Sequence, residues 1–170
     1  MLNRGFRNMN THPSGFPRRV LWHVLLGMAL YWLGNVIAVF PWLISRILGI
    51  LAMFLSVVLW GYVSYYAYLH APRKEWNRDM LSMAFAFLLT AVVEDYFLYV
   101  VYRGIPDELY VASTFAAYAS VFLLPVIVRF VFLRKYVQKE IPRISSIKLL
   151  VTFAVAVIAC LITLWSVKFW

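Results

Sequence analysis

Long apolar runs alternate with short polar clusters along the whole chain. A helix that crosses the hydrocarbon layer of a bilayer needs about 20 consecutive, mostly apolar residues. The pattern predicts five such spans, at about 20–40, 47–69, 81–102, 110–133 and 149–167. The segments between them carry the turn formers. Pro41 is expected to break the first helix and PWLISR to make a tight turn. His70–Met80 (HAPRKEWNRDM) reads as a basic loop. Gly104 and Pro106 punctuate RGIPDEL. Arg134–Lys148 is the longest polar stretch, and residues 1–17 read as a flexible cytoplasmic arm before a single transmembrane domain at 18–170. Strict alternation with period 2 is missing, which argues against a transmembrane β-barrel. The expected fold is all-α, a polytopic bundle of five spans whose helices satisfy their own backbone hydrogen bonds in lipid.

Charge then orients the bundle. With the N-terminus in the cytoplasm, the inner segments hold twelve cations: Arg4, Arg7, Arg18, Arg19, Arg73, Lys74, Arg78, Arg134, Lys135, Lys139, Arg143 and Lys148. The outer segments hold three: Arg46, Arg103 and Lys168. Cytoplasmic loops carry an excess of Lys and Arg, so twelve against three predicts an inside N-terminus and an outside C-terminus. Four or six spans would spoil that alternation. Tyr62, Tyr65, Tyr66 and Trp76 on one side, and Trp42, Tyr102 and Trp165 on the other, suit headgroup-level anchoring.

Composition changes the picture little but closes off alternatives. Of 170 residues, 64% are hydrophobic and 14% charged, against about 25% charged in a soluble domain. A net charge of +9 is compatible with nucleic acid in principle, yet the cations lie in clusters between apolar runs. Such clusters attract anionic lipid headgroups instead. The single cysteine, Cys160, lies in an apolar run and reads as a small packing residue. No metal-ligand spacing, nucleophile motif or phosphate loop occurs, so neither metal nor cofactor is expected. The bacterial cytoplasmic membrane is the expected location; a chain with no acid before Glu75 also fits the mitochondrial inner membrane.

One constellation stands out as chemistry. Glu94 and Asp95 fall inside the third span, about 12 Å along the helix from Arg103. An intramembrane carboxylate costs on the order of 2.5–3.5 kcal/mol on the insertion scale. Matching depth across the bundle nominates Asn35, Tyr118, Ser120 and Thr163 as companions, with Tyr99 one turn beyond Asp95; Arg46, at the outer end of the second span, is expected to lean inward and neutralise one carboxylate. Three readings stay open: a cation or proton site or gate, a polar cluster that fixes helix register, and acids that reach the headgroups. Pro125 removes a backbone donor in the fourth span and is a candidate hinge. Arg73, Lys74, Arg78, Arg134, Lys135, Lys139 and Arg143 form an expected inner basic surface for headgroups or a cytoplasmic partner.

Small residues form helix-packing stripes, among them Gly27 and Gly34, Gly49, Ala52 and Ser56, and Ala112, Ala116 and Ser120. Close packing of small residues drives helix association in lipid. The leading functional expectation is therefore a non-enzymatic membrane subunit that assembles with itself or with other membrane or cytoplasmic proteins. A small ion or solute transporter or channel using Glu94 and Asp95 is the alternative, and a lipid-modifying enzyme the third.

Overall fold

A computed structural model of the chain describes residues 15–137 and 141–166. Five helices in it are long and apolar enough to cross a membrane, as an integral membrane protein requires. The first is α1, Phe16–Ile44. Next comes α2, Arg46–Tyr68. The third, α3, covers Trp76–Asp95 and continues as a wider π turn over Tyr96–Tyr102. The fourth, α4, covers Ala112–Ile127 and ends in a second wide turn over Val128–Phe132. The fifth, α5, is Ser146–Ser166. No strand occurs among the described residues.

Several expected boundaries move. Pro41 does not stop α1; it sits inside the helix. Its missing N–H costs the bond to the carbonyl four residues back, but this is the last turn, and the Pro41 carbonyl accepts from the Ser45 N–H at 3.0 Å. Ser45 then caps α2 by accepting from the Leu48 N–H at 3.1 Å. The segment Trp76–Met80, expected in a loop, forms the first turns of α3. Ser146–Lys148 likewise belong to α5. Of the expected arm at 1–17, residues 16 and 17 are already in α1 and residues 1–14 lie outside the described residues, as does Lys139.

Helix α1 is the hub, packed against α2, α3 and α5, while α3 also packs on α4. Small side chains permit the closest approach. The Thr90 side chain of α3 occupies the place where a Cβ on Gly27 would stand. The buried core is aromatic: Trp22, Trp32, Trp60, Trp76, Tyr68 and Phe87 are each 7% exposed or less. Trp60 and Phe87 meet edge to face, with ring centroids 5.1 Å apart. At the end that gathers the start of α1, the end of α2 and the start of α3, called the basic end below, polar tips fasten these rings. The Tyr68 hydroxyl donates to the Pro125 carbonyl at 2.8 Å. The Trp76 indole donates to the Ala71 carbonyl at 3.0 Å. The outward faces of α2, α4 and α5 are apolar and exposed, as lipid-facing helices are.

Candidate functional site: an acidic cleft within the spans

Helices α2 and α4 converge toward the basic end, where Leu124 approaches Gly61 and Tyr68 reaches the Pro125 carbonyl. Away from that end they part, and a cleft of about 690 Å³ opens between them. Its walls are α2 from Ile50 to Trp60 and α4 from Ser113 to Leu124, about ten residues or roughly 15 Å of helix. Its floor comes from α1, through Tyr31, Gly34, Asn35 and Ala38, and from α3, through Ala91, Asp95 and Tyr99. Among the described residues, Asp95 is the only Asp, Glu, Lys or Arg in that lining.

The Asp95 carboxyl is held from two sides. The Tyr31 hydroxyl of α1 donates to Oδ1. The Tyr118 hydroxyl of α4 reaches the same carboxyl. The Asn35 amide nitrogen donates to the Tyr31 carbonyl at 3.0 Å, which ties its side chain to the backbone of the same turn. Tyr99 lines the cleft one turn along α3, and the Arg103 guanidinium lies 5.6 Å from its ring centroid. The wide π turn starts at Tyr96, directly after the acid. Such turns break the even stacking of a helix and are frequent where side chains serve function.

Glu94 points elsewhere. Successive residues on a helix are rotated by about 100°, and Glu94 turns toward Trp32 of α1. It is 6% exposed. The indole is a potential donor, yet neither carboxyl oxygen completes a hydrogen bond. Of the expected companions, Asn35, Tyr99, Tyr118 and Ser120 share the cleft with Asp95. Ser120 donates to the Ala116 carbonyl at 2.8 Å. Thr163 is buried and donates to the Ala159 carbonyl at 2.9 Å, so its hydroxyl serves its own helix. Arg46 does not lean inward as expected: it is exposed at the start of α2 and, among the described residues, forms no ion pair with either acid. Tyr31, the principal donor to Asp95, escaped the sequence reading. The signal was available, since Tyr31 stands one turn from Asn35 on the same face.

A second buried polar group was also missed. Arg19, expected among the loop cations, is 2% exposed. Its Nε donates to Asp79 Oδ1 at 2.8 Å, and its Nη2 pairs with Glu75. His23 lies one turn further along α1, with Nδ1 3.0 Å from Ser82 Oγ and Nε2 3.9 Å from Asp79 Oδ1. Asp79 itself is fully buried. Of the expected basic surface, Arg73, Lys74, Arg78, Arg134, Lys135 and Arg143 are exposed. Arg78 stacks on the Phe16 ring at 3.4 Å. Pro125 is buried in α4, and the wide turn begins three residues beyond it.

The chain matches no protein-family model, no characterised protein and no solved structure.

Proposed function

We propose that the protein is a membrane carrier that takes an organic cation into the α2–α4 cleft, with Asp95 as its counter-charge. The observation that carries this reading is a cleft whose lining, among the described residues, holds one carboxyl and no Lys or Arg. A volume of about 690 Å³ is far larger than a bare metal ion needs and falls in the usual range of small-molecule sites. Tyr31, Tyr99, Tyr118, Trp60 and Phe54 add aromatic faces, which attract cations through their quadrupoles. An arriving ammonium would share the carboxyl with Tyr31 and Tyr118, and those hydroxyls hold it in place while the site is empty.

A second reading, assembly with another copy of the chain, is favoured by one feature. Ser113, Ala116, Ala117 and Ser120 give the α4 wall a row of small, exposed residues on which another helix can pack closely. The two separate experimentally. Tetraphenylphosphonium binding is measured on protein in nanodiscs, for wild type, Asp95→Asn and Ala116→Leu, together with the mass of the complex. A carrier loses binding about tenfold or more with Asp95→Asn and keeps its mass, since one unit charge at about 4 Å is worth several kcal/mol in a protein of effective dielectric about 20. Unchanged binding with Asp95→Asn refutes the carrier. A complex that dissociates with Ala116→Leu establishes the assembly instead.

A further inference from the structure

The basic end has two faces with opposite electrostatic character. On one face of α1, Arg19 meets Glu75 and Asp79, so its charge is compensated. On the neighbouring face, rotated by about 100°, Arg18 meets α5 without an acid. Its Nη2 donates to Ser146 Oγ at 2.8 Å, and its Nε is enclosed with no acceptor. Two residues along α5, the Lys148 ammonium stands 2.7 Å from His70 Nε2 and 3.4 Å from the Tyr66 hydroxyl. Both partners are neutral as the geometry sets them. His70 Nδ1 faces the Tyr66 carbonyl at 3.0 Å and must carry the ring proton, which leaves Nε2 as the acceptor for Lys148. Burial and the nearby Lys148 charge also lower the His70 pKa.

Arg18 and Lys148 occupy one layer of the bundle. One turn further along each helix, Trp22 and Thr152 touch directly, with the indole donating to Thr152 Oγ1 at 3.3 Å. The two cations therefore stand at the level where the apolar spans begin. Trp22 and Tyr66 sit just inside this layer, 6.0 Å apart and edge to face, as aromatic rings do at the headgroup boundary. Beyond them α2 and α5 offer exposed apolar side chains, including Val58 and Tyr62 on α2 and Val151 on α5.

We propose that Arg18, Ser146 and Lys148 form a binding site for the phosphate of an anionic phospholipid. Two cations at the first turns of α1 and α5, one of them donating to a hydroxyl, match the phosphate oxygens, and charge-assisted bonds to phosphate are among the strongest in proteins. A lipid suits the site better than a free anion, because the site lies at the edge of apolar helices on which acyl chains rest. The site is separate from the acidic cleft, so it stands or falls independently of the carrier reading.

The test is native mass spectrometry of the full chain in mild detergent. It is titrated with phosphatidylglycerol, phosphatidylcholine or inorganic phosphate, with thermal midpoints recorded for every variant. Phosphatidylglycerol is expected to bind with selectivity over phosphatidylcholine. Arg18→Gln and Lys148→Gln should each weaken it about tenfold, the worth of one charge-assisted bond, and Lys148→Arg should restore it. Arg134→Gln with Lys135→Gln, which removes two exposed cations elsewhere at this end, should leave it unchanged. Equal loss in that control would show a diffuse charge effect and overturn the site. So would equal binding of both lipids, or binding of inorganic phosphate as strong as that of phosphatidylglycerol. If Lys148→Gln lowers the thermal midpoint, Lys148→Arg and Arg18→Gln decide the matter, and unchanged lipid selectivity in a folded Arg18→Gln variant refutes the proposal.

Discussion

Replacing Arg19 by Met should be among the most damaging single changes in the protein, although a count of charges places it in a loop. The side chain is 2% exposed and holds Asp79, which is fully buried, and Glu75, whose side chain is 30% exposed. Taking two charges out of water costs several kcal/mol per ion even after relaxation, and their attraction repays this only while both are present. Arg19→Met leaves Asp79 buried with His23 Nε2 at 3.9 Å as its nearest remaining ionisable contact. Breaking a buried pair in this way costs about 3–5 kcal/mol. Glu75→Gln, at the wetter end of the same cluster, should cost about 1 kcal/mol or less. The informative variant combines Arg19→Met with Asp79→Leu. Removing both charges and filling the space with apolar atoms should recover most of the loss, giving a coupling of about 2 kcal/mol or more between the two sites. Equilibrium unfolding in mixed micelles of rising SDS content, followed by tryptophan fluorescence, reads these differences. If Arg19→Met costs under about 1 kcal/mol, or if the double variant loses the sum of its parts, the cluster is not the buried, coupled unit described here.

Two further outcomes follow from other groups. Glu94→Met should raise stability by about 1–3 kcal/mol in the same assay, because a buried carboxyl with no completed hydrogen bond is replaced by an apolar side chain of similar volume; a loss of stability would show that Glu94 has a partner in the membrane. His70 supplies a pH dependence. Its pKa in the fold lies below the ordinary value of 6.5, so below about pH 6.5 the unfolded chain binds a proton that the fold does not. Stability contributed by neutral His70 is therefore complete above that value and is lost as the pH falls toward the folded pKa. Wild type should weaken between about pH 7 and 5.5 more steeply than His70→Gln, and identical slopes would contradict the neutral Lys148–His70 contact.

The architecture was legible in the sequence because lipid imposes a blunt rule: a span needs an unbroken apolar run, and the chain supplies five. The errors fall where that rule loses force. Trp76–Met80 looks like a loop because Asn77, Arg78 and Asp79 are polar, yet it is helical. The compensation for Asp79 comes from Arg19, 60 positions away, and no local pattern announces such a pairing. Pro41 misled for the opposite reason. A proline is costly where its missing donor matters, and within the last turn of α1 the Ser45 N–H, four residues on, closes the helix on the Pro41 carbonyl. At the acidic pair, helical rise set the depth of Asn35 and Tyr118 correctly enough to find them in one cleft with Asp95. The same arithmetic nominated Thr163, which does not line that cleft and whose hydroxyl bonds the Ala159 carbonyl of its own helix. Depth follows from counting residues; azimuth follows from which helices touch, and that is a property of the packed state.

The two ends of the bundle treat buried charge in contrary ways, and the contrast bears on function. At the basic end Arg19 gathers two carboxyls, so desolvation is offset by close pairing and the cluster has a structural account. In the cleft, among the described residues, Asp95 forms no ion pair. Arg103 lies over the Tyr99 ring rather than on Asp95, and Arg46 faces outward. Hydroxyls from Tyr31 and Tyr118 satisfy the Asp95 oxygens without cancelling the charge they would carry when ionised. Replacing those tyrosines by one arginine would make a better ion pair and a worse binding site, since the counter-charge would already be inside. A chain selected only to hold five helices together has no reason to keep an uncancelled carboxyl at the floor of an open cleft, whereas a chain that must admit and release a cation has to keep that position free of fixed positive charge.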